Sequence, residues 1–120
     1  MDEVVKQALE RDRTIDITTT GRKTGQLRRT EIWFHNLDGE LYITGTPGPR
    51  DWYANLLGTP EFTFHLKESI QADLPARATP VLDQVKRRDV IARIYQKLGR
   101  EDSDLEARVA GSPLVYVELV

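Results

Sequence analysis

Leu27-Arg28-Arg29-Thr30-Glu31-Ile32-Trp33-Phe34-His35, followed by Asn36-Leu37-Asp38-Gly39 and then by Leu41-Tyr42-Ile43-Thr44-Gly45-Thr46, reads as strand, turn and strand. Ile32, Trp33 and Phe34 give the first segment β-favouring side chains; Leu41, Tyr42 and Ile43 do the same for the second. Asn, Asp and Gly between them tolerate the backbone angles of a tight reversal. Such a hairpin sets the topology class. Strands joined by short turns pair antiparallel, whereas parallel strands need a long crossover.

Upstream, Ile15 to Thr20 is rich in β-branched residues and predicts another strand, punctuated by Gly21 and Gly25. Asp2 can cap a short helix with Val4, Val5, Ala8 and Leu9 on one side, ended by Asp12 and Arg13. Downstream, Gly45-Thr46-Pro47-Gly48-Pro49 must be a loop. Asp51 opens a short helix, Trp52 to Leu57, that stops at Gly58. Phe62, Phe64 and Leu66 alternate with Thr63, His65 and Lys67, which predicts a strand with one buried and one wet face. Ser69 to Arg77 is its expected partner. Thr79-Pro80 carries the hydroxyl-then-proline signal of a helix start. Leu82, Val85, Ile91, Ile94, Tyr95 and Leu98 form the apolar stripe of that helix, the longest, which Gly99 ends. Glu101 to Ala110 is a polar, partly helical connection. Leu114 to Val120 is a last strand, and its apolar run predicts a central place in the sheet. The sum is about six strands and two to four helices, an α+β domain over residues 1–120 with an antiparallel sheet or small barrel and flanking helices.

Composition narrows the function. The apolar fraction is 39% and the charged fraction 30%, as expected of a water-soluble globular chain. There are no cysteines, so disulfides, thiolate catalysis and cysteine-based zinc frameworks are excluded, and a cytoplasmic home is the default. Met1 to Glu10 reads as an amphipathic helix and not as a signal peptide, and no apolar run is long enough to cross a membrane. With 17 basic and 19 acidic side chains the net charge is −2, which argues against a nucleic-acid binder. The charge is uneven, however: Arg22, Lys23, Arg28 and Arg29 fall between Thr18 and Thr30 with no acid until Glu31.

Thr18-Thr19-Thr20-Gly21-Arg22-Lys23-Thr24-Gly25 is the most informative segment. Glycines let a backbone turn approach a ligand closely, and threonine hydroxyls and exposed amides are good phosphate donors. Arg22 can fork onto phosphate or carboxylate oxygens while Lys23 acts as a movable point charge. Arg28 and Arg29 point to opposite faces of the next strand, so one of them can lean over the same anion. The Walker spacing of a P-loop is missing. From composition alone a solvated hairpin turn explains the segment equally well.

The block Thr19-Thr20-Gly21-Arg22-Lys23-Thr24-Gly25 with Arg28 and Arg29, followed by Trp52-Tyr53-Ala54-Asn55-Leu56 and Thr59-Pro60, resembles the two motifs of the deazaflavin-dependent nitroreductase family. The similarity is clearest from Ile15 to Lys67. It implies a split β-barrel related to flavin-binding oxidases. It also implies coenzyme F-420 as hydride carrier and a quinone, nitroaromatic or unsaturated ring compound as the small-molecule acceptor. Carried over residue by residue, Arg22, Lys23, Thr24 and Gly25, with Arg28 and Arg29, would hold the phosphate or glutamate tail. Trp52 and Asn55 would shape the adjoining wall, with the ring held between Trp33, the loop from Thr46 to Arg50, and Trp52. Relatives of the same barrel bind flavins, so FMN is the alternative cofactor, and a non-catalytic ligand-binding module is the alternative role. A homodimer is left open.

The remaining candidates are weaker. His35 and His65 are the only histidines and lack a clustered third ligand, so no metal site is expected. No nucleophile elbow is present. Tyr42 and Tyr116 read as packing residues, Tyr95 as core or as a hydroxyl at the pocket edge. Asp102, Asp104 and Glu106 read as a solvated helix face.

Overall fold

The computed structural model describes residues 2–100 and 104–120. Asp2 accepts a hydrogen bond from the Val4 amide at 2.8 Å and so starts α1 (Glu3–Arg11). There follow β1 (Thr14–Thr20), β2 (Leu27–Trp33), β3 (His35–Leu37), β4 (Glu40–Thr44), α2 (Asp51–Gly58), β5 (Glu61–Leu66), β6 (Ala72–Pro80), α3 (Gln84–Lys97), α4 (Leu105–Gly111) and β7 (Leu114–Leu119). The strands form one seven-stranded sheet in the order β2-β1-β5-β6-β7-β4-β3, with every neighbouring pair antiparallel.

The stretch expected as one strand, Leu27 to His35, is broken at a single residue. Strands β2 and β3 lie at opposite edges of the sheet, yet only Phe34 separates them in the chain. The sheet must therefore curl until its edges approach, which is how a barrel loses its open edges. Phe34 makes the bend. Its amide donates to the Arg13 carbonyl at 3.0 Å, and its buried ring meets the edge of Phe64 at 5.2 Å. The reversal after β3 is tighter than expected. Leu37 pairs with Glu40, leaving only Asp38 (φ 54°) and Gly39 (φ 94°) in the turn, the primed geometry that matches strand twist. Asn36 is part of β3. Its Oδ1 accepts from the Gly39 amide and its Nδ2 donates to the Leu9 carbonyl, fastening α1 to the hairpin.

Two apolar clusters follow from the alternation of side chains. Ile15, Ile17, Phe34, Ile43, Phe64 and Val117 fill the barrel, closed by Leu9 of α1 and by Trp52 and Leu56 of α2. On the other side of the sheet Tyr42 and Leu114 pack against Val90, Ile91 and Ile94 of α3 and Val109 of α4. Strands β4 and β7 are thus covered on both faces. This is why β7 reads as a continuous apolar run and, as expected, lies inside the sheet.

Three expectations are corrected. Thr79 and Pro80 end β6, opposite Tyr116 and Val115, and do not start a helix. A proline is tolerated where a ladder stops, so the same dipeptide serves a strand end. Helix α3 starts instead after Asp83, whose carboxylate accepts from the Lys86 amide at 2.9 Å. Its buried face is Arg87, Val90, Ile91 and Ile94, whereas Leu82 and Val85 are exposed. Arg87 is a buried cation that donates to the carbonyls of Val81, Val109 and Ser112, joining the starts of α3 and β7 to α4. His65, expected on a wet face, is buried: its Nε2 meets Thr18 Oγ1 and its Nδ1 meets Asp73 Oδ1, both at 2.6 Å. That outer face is closed further by Asp16, which accepts from Lys67 and Arg29. The Lys67 hydrogen bond is the main reason that the Asp16 carboxyl titrates below its ordinary range. Asp102 lies outside the described residues, and Glu106 forms an ion pair with Arg88.

Two measurements check this frame. Phe34→Ala removes a buried ring at the bend and should cost about 3–5 kcal/mol in urea unfolding. His35, at the start of β3, titrates at about 4 instead of 6.5, chiefly through burial and then through the charges of Arg13 and Lys97. The unfolded chain therefore binds this proton first as pH falls. The corresponding stability is complete above pH 6.5 and is lost as pH falls towards about 4. The urea midpoint should decline across that window, and His35→Gln should flatten the decline.

Candidate functional site

The loop between β1 and β2 is short because its ends are paired: Thr20 faces Leu27 in the ladder, and the Gly21 amide bonds to the Gln26 carbonyl at 2.7 Å. Gly25 takes a φ of 71°, which strains any other residue type, and its amide returns to the Gly21 carbonyl. Arg22, Lys23 and Thr24 are therefore presented at the tip. Helix α2 packs beside them and supplies Asp51, Trp52 and Asn55. A recess of about 410 Å³ lies between loop and helix, lined by Arg22, Lys23, Thr24, Arg28, Arg29, Trp52 and Asn55 among others. Seven of the nine residues expected at the site thus converge. Gly25 shapes the loop without lining the recess.

The electrostatics are one-sided. Four cations border the recess and Asp51 is the acid among its lining residues. Arg29 is tied to Asp16 at 2.9 Å, and Arg22 lies 3.6 Å from the largely exposed Asp51. Lys23 and Arg28 have no ion-pair partner among the described residues. Register distinguishes the two arginines of β2. Arg28 stands opposite Thr19, whose hydroxyl meets Asn55 of α2, so Arg28 is on the helix side; Arg29 stands opposite Thr18 on the outer face. Asn55 is buried. Its Oδ1 accepts from both the Arg22 amide (3.1 Å) and the Arg22 guanidinium (3.2 Å), and its Nδ2 donates to Thr19 Oγ1 (3.3 Å). This donor set, guanidinium and ammonium with Asp51 as the one carboxylate among the lining residues, suits phosphate or carboxylate oxygens.

Two of the expected contributors lie elsewhere. Thr46 is held by Arg50, whose guanidinium donates to its carbonyl and, at 2.6 Å, to its hydroxyl. Trp33 pairs with Thr14 at the far end of β1 and β2, some six residues and roughly 20 Å along the strand from the loop. Its ring is covered by Arg13 at 4.9 Å and does not face Trp52. Trp52 is both plug and wall: it is buried in the barrel cluster, meets Tyr53 edge-on at 5.9 Å, and borders the basic recess. Tyr42 and Tyr116 pack together as expected, at 5.5 Å, and Tyr95 lies under Arg108 at 4.7 Å, away from the recess. His35 and His65 sit on separate strands, β3 and β5.

The loop from Thr46 to Arg50, expected beside the ring, supplies Gly48, Pro49 and Arg50 to a second recess, of about 660 Å³, on the opposite side of α2, whose other walls the sequence did not indicate. Pro49, Tyr53, Ala54, Leu82 and Pro113 give it a mostly apolar wall, and Arg87 lies at its base. The Pro47-Gly48-Pro49 turn was its one visible signal.

A rolled seven-stranded antiparallel sheet with a basic loop beside a short helix is the split-barrel fold. The same fold is seen in a conserved hypothetical protein of Mycobacterium tuberculosis (19% identity, TM-score 0.73, covering 99% of this chain and 81% of that one). It is seen also in a FAD-binding protein of Mesorhizobium loti (12%, 0.73, 100% and 91%) and in a protein described as an F420 reductase (20%, 0.71, 100% and 96%). The family model "F420H(2)-dependent quinone reductase" matches residues 2–105, and the chain belongs to that family of reductases, which transfer hydride from reduced coenzyme F-420 to acceptors. No helix among the described residues is long and apolar enough to cross a membrane.

Asp51 offers a direct test of the recess. An exposed pair contributes little to stability. Asp51 nevertheless competes with an incoming anion for Arg22. Asp51→Asn should leave thermal stability nearly unchanged and tighten binding of the anionic cofactor by a few-fold, measured by calorimetric titration.

Proposed function

We propose that coenzyme F-420 binds along α2, with its phosphate and glutamate tail in the basic recess and its ring towards the apolar recess beside Pro49 and Tyr53. The observation that supports this most directly is the placing of Lys23 and Arg28, two cations without ion-pair partners among the described residues, at one recess on the face of α2 that carries Trp52 and Asn55. The acceptor is a quinone or a comparable flat unsaturated compound, consistent with the mostly apolar lining of the second recess.

Reduced F-420 supplies the hydride when bound. The chain's own residues then have three tasks. Lys23, Arg28 and the oriented Arg22 neutralise the tail and fix the register of the cofactor along the helix. Trp52 seals the barrel beneath it. Pro49, Tyr53, Ala54 and Leu82 exclude water from the side where ring and acceptor meet, which suits a reaction in which the protein orients and shields. A cytoplasmic home and a homodimer complete the reading.

Titration of the purified protein with coenzyme F-420 tests it. In a Trp33→Phe variant, Trp52 is the remaining tryptophan, and its fluorescence should change on saturation. Arg28→Ala should weaken binding by about 10- to 150-fold, the equivalent of one charge-assisted hydrogen bond, with little change in melting temperature. Rising salt should weaken binding as well, because the contact is open to solvent. The reduced cofactor should be consumed when a quinone is added. Tight FMN binding with no response to F-420 would overturn the assignment.

A further inference from the structure

One side chain at the recess is better placed to act on the protein than on a ligand. Asn55 is 4% exposed, and both its amide oxygen and its amide nitrogen are bonded to neighbours. Two donors of Arg22, one from the main chain and one from the guanidinium, converge on Oδ1, while Nδ2 is given to Thr19. The orientation of the amide is fixed by chemistry: the Arg22 groups are donors only, so the oxygen must face them. Thr19 in turn is 1% exposed in β1 and opposite Arg28 in the ladder. A rigid path therefore runs from β1 through Thr19 and Asn55 to Arg22. Without it, an arginine at the tip of a glycine-flanked loop samples many rotamers, and ordering it on binding is costly.

We infer that Asn55 is a positioning residue: it presets the Arg22 guanidinium for the anionic tail and acts through Arg22, not by touching the cofactor. This rests on the proposed tail site but is separable from it. The same geometry explains why asparagine, and not aspartate, serves here. A carboxylate would accept the same two bonds but would neutralise Arg22 and leave the Thr19 hydroxyl without its donor. Arg22 is held half-open, its side chain 39% exposed, with the part of its fork not given to Asn55 available beside Asp51.

A double-mutant cycle decides the matter. Arg22→Ala, Asn55→Ala and the double variant are titrated with intact F-420, with a fragment lacking the phosphate and glutamate tail, and with inorganic pyrophosphate followed through the amide resonances of the loop. Asn55→Ala should weaken intact cofactor by roughly tenfold, and the double variant should bind no more than about twofold worse than Arg22→Ala alone, the non-additivity of residues that act in series. The tail-less fragment should be indifferent to all three changes, which a general loosening of the pocket would not allow. Thr19→Val, which does not touch Arg22, should reproduce part of the loss, and Thr19→Ser should restore wild-type affinity; these two keep the test decisive if Asn55→Ala fails to fold. Additive losses, or an equal loss with the tail-less fragment, overturn the positioning role while leaving the tail site intact. If wild type ignores F-420 but the cycle is non-additive for pyrophosphate, the positioning role stands and the cofactor assignment falls. If wild type binds neither, both fall.

Discussion

A strand that leaves one edge of a sheet and resumes at the other edge after a single residue admits few solutions. The sheet must roll, and the residue between must be small enough in its backbone demands, and large enough in its side chain, to turn the corner and fill it. Phe34 meets both conditions: one amide hydrogen bond to Arg13 holds the corner, and the ring occupies the barrel against Phe64. The other elements are arranged by this closure. The basic loop lies at one end of the rolled β1–β2 pair, α2 plugs the barrel with Trp52 and Leu56, and α3 and α4 cover the face that the roll leaves outside.

Helix α2 borders the core and both recesses at once. Its eight residues put Trp52 and Leu56 into the core, Asp51 and Asn55 towards the basic loop, and Tyr53 and Ala54 towards the apolar recess. A helix used on three sides leaves little freedom for substitution. It also makes the spacing of the basic recess and the apolar recess a property of one rigid element, insensitive to loop motion. Hydride transfer needs that kind of positioning more than it needs acid–base groups, since the cofactor carries the reactive chemistry.

Much of this was legible in the chain, and the exceptions have physical causes. Gly21 and Gly25 bracketed the cation-bearing tip because backbone demands there are local. The same holds for Asp38-Gly39, whose positive φ values limit the residue types allowed. The double-sided burial of β7 showed in its unbroken apolar run. The bend at Phe34 was invisible, because an aromatic residue suits a strand interior and a barrel corner alike. Thr79-Pro80 misled, since a missing amide is as acceptable at a strand's end as at a helix's start. His65 alternated as a wet residue does; its burial depends on Thr18 and Asp73 from other strands, which no local pattern encodes. Thr46 was placed at the site by proximity to a motif; its hydroxyl and carbonyl accept from Arg50, a contact that proximity alone does not reveal.

The position of β7 has a consequence for biosynthesis. It pairs with β6 on one side and β4 on the other, so until residues 114–119 have left the ribosome both partners present bare edges and the two apolar clusters lack their shared wall. Translation runs at about 5–20 residues per second, and exposed edges and apolar surface during that interval favour association between nascent chains. The early hairpins, β1–β2 and β3–β4, can form as they emerge, but the barrel itself cannot be completed until β7 joins β4 and β6. A ribosome stalled shortly before Leu114 would hold a chain with most of its strands made and no stable place to put them.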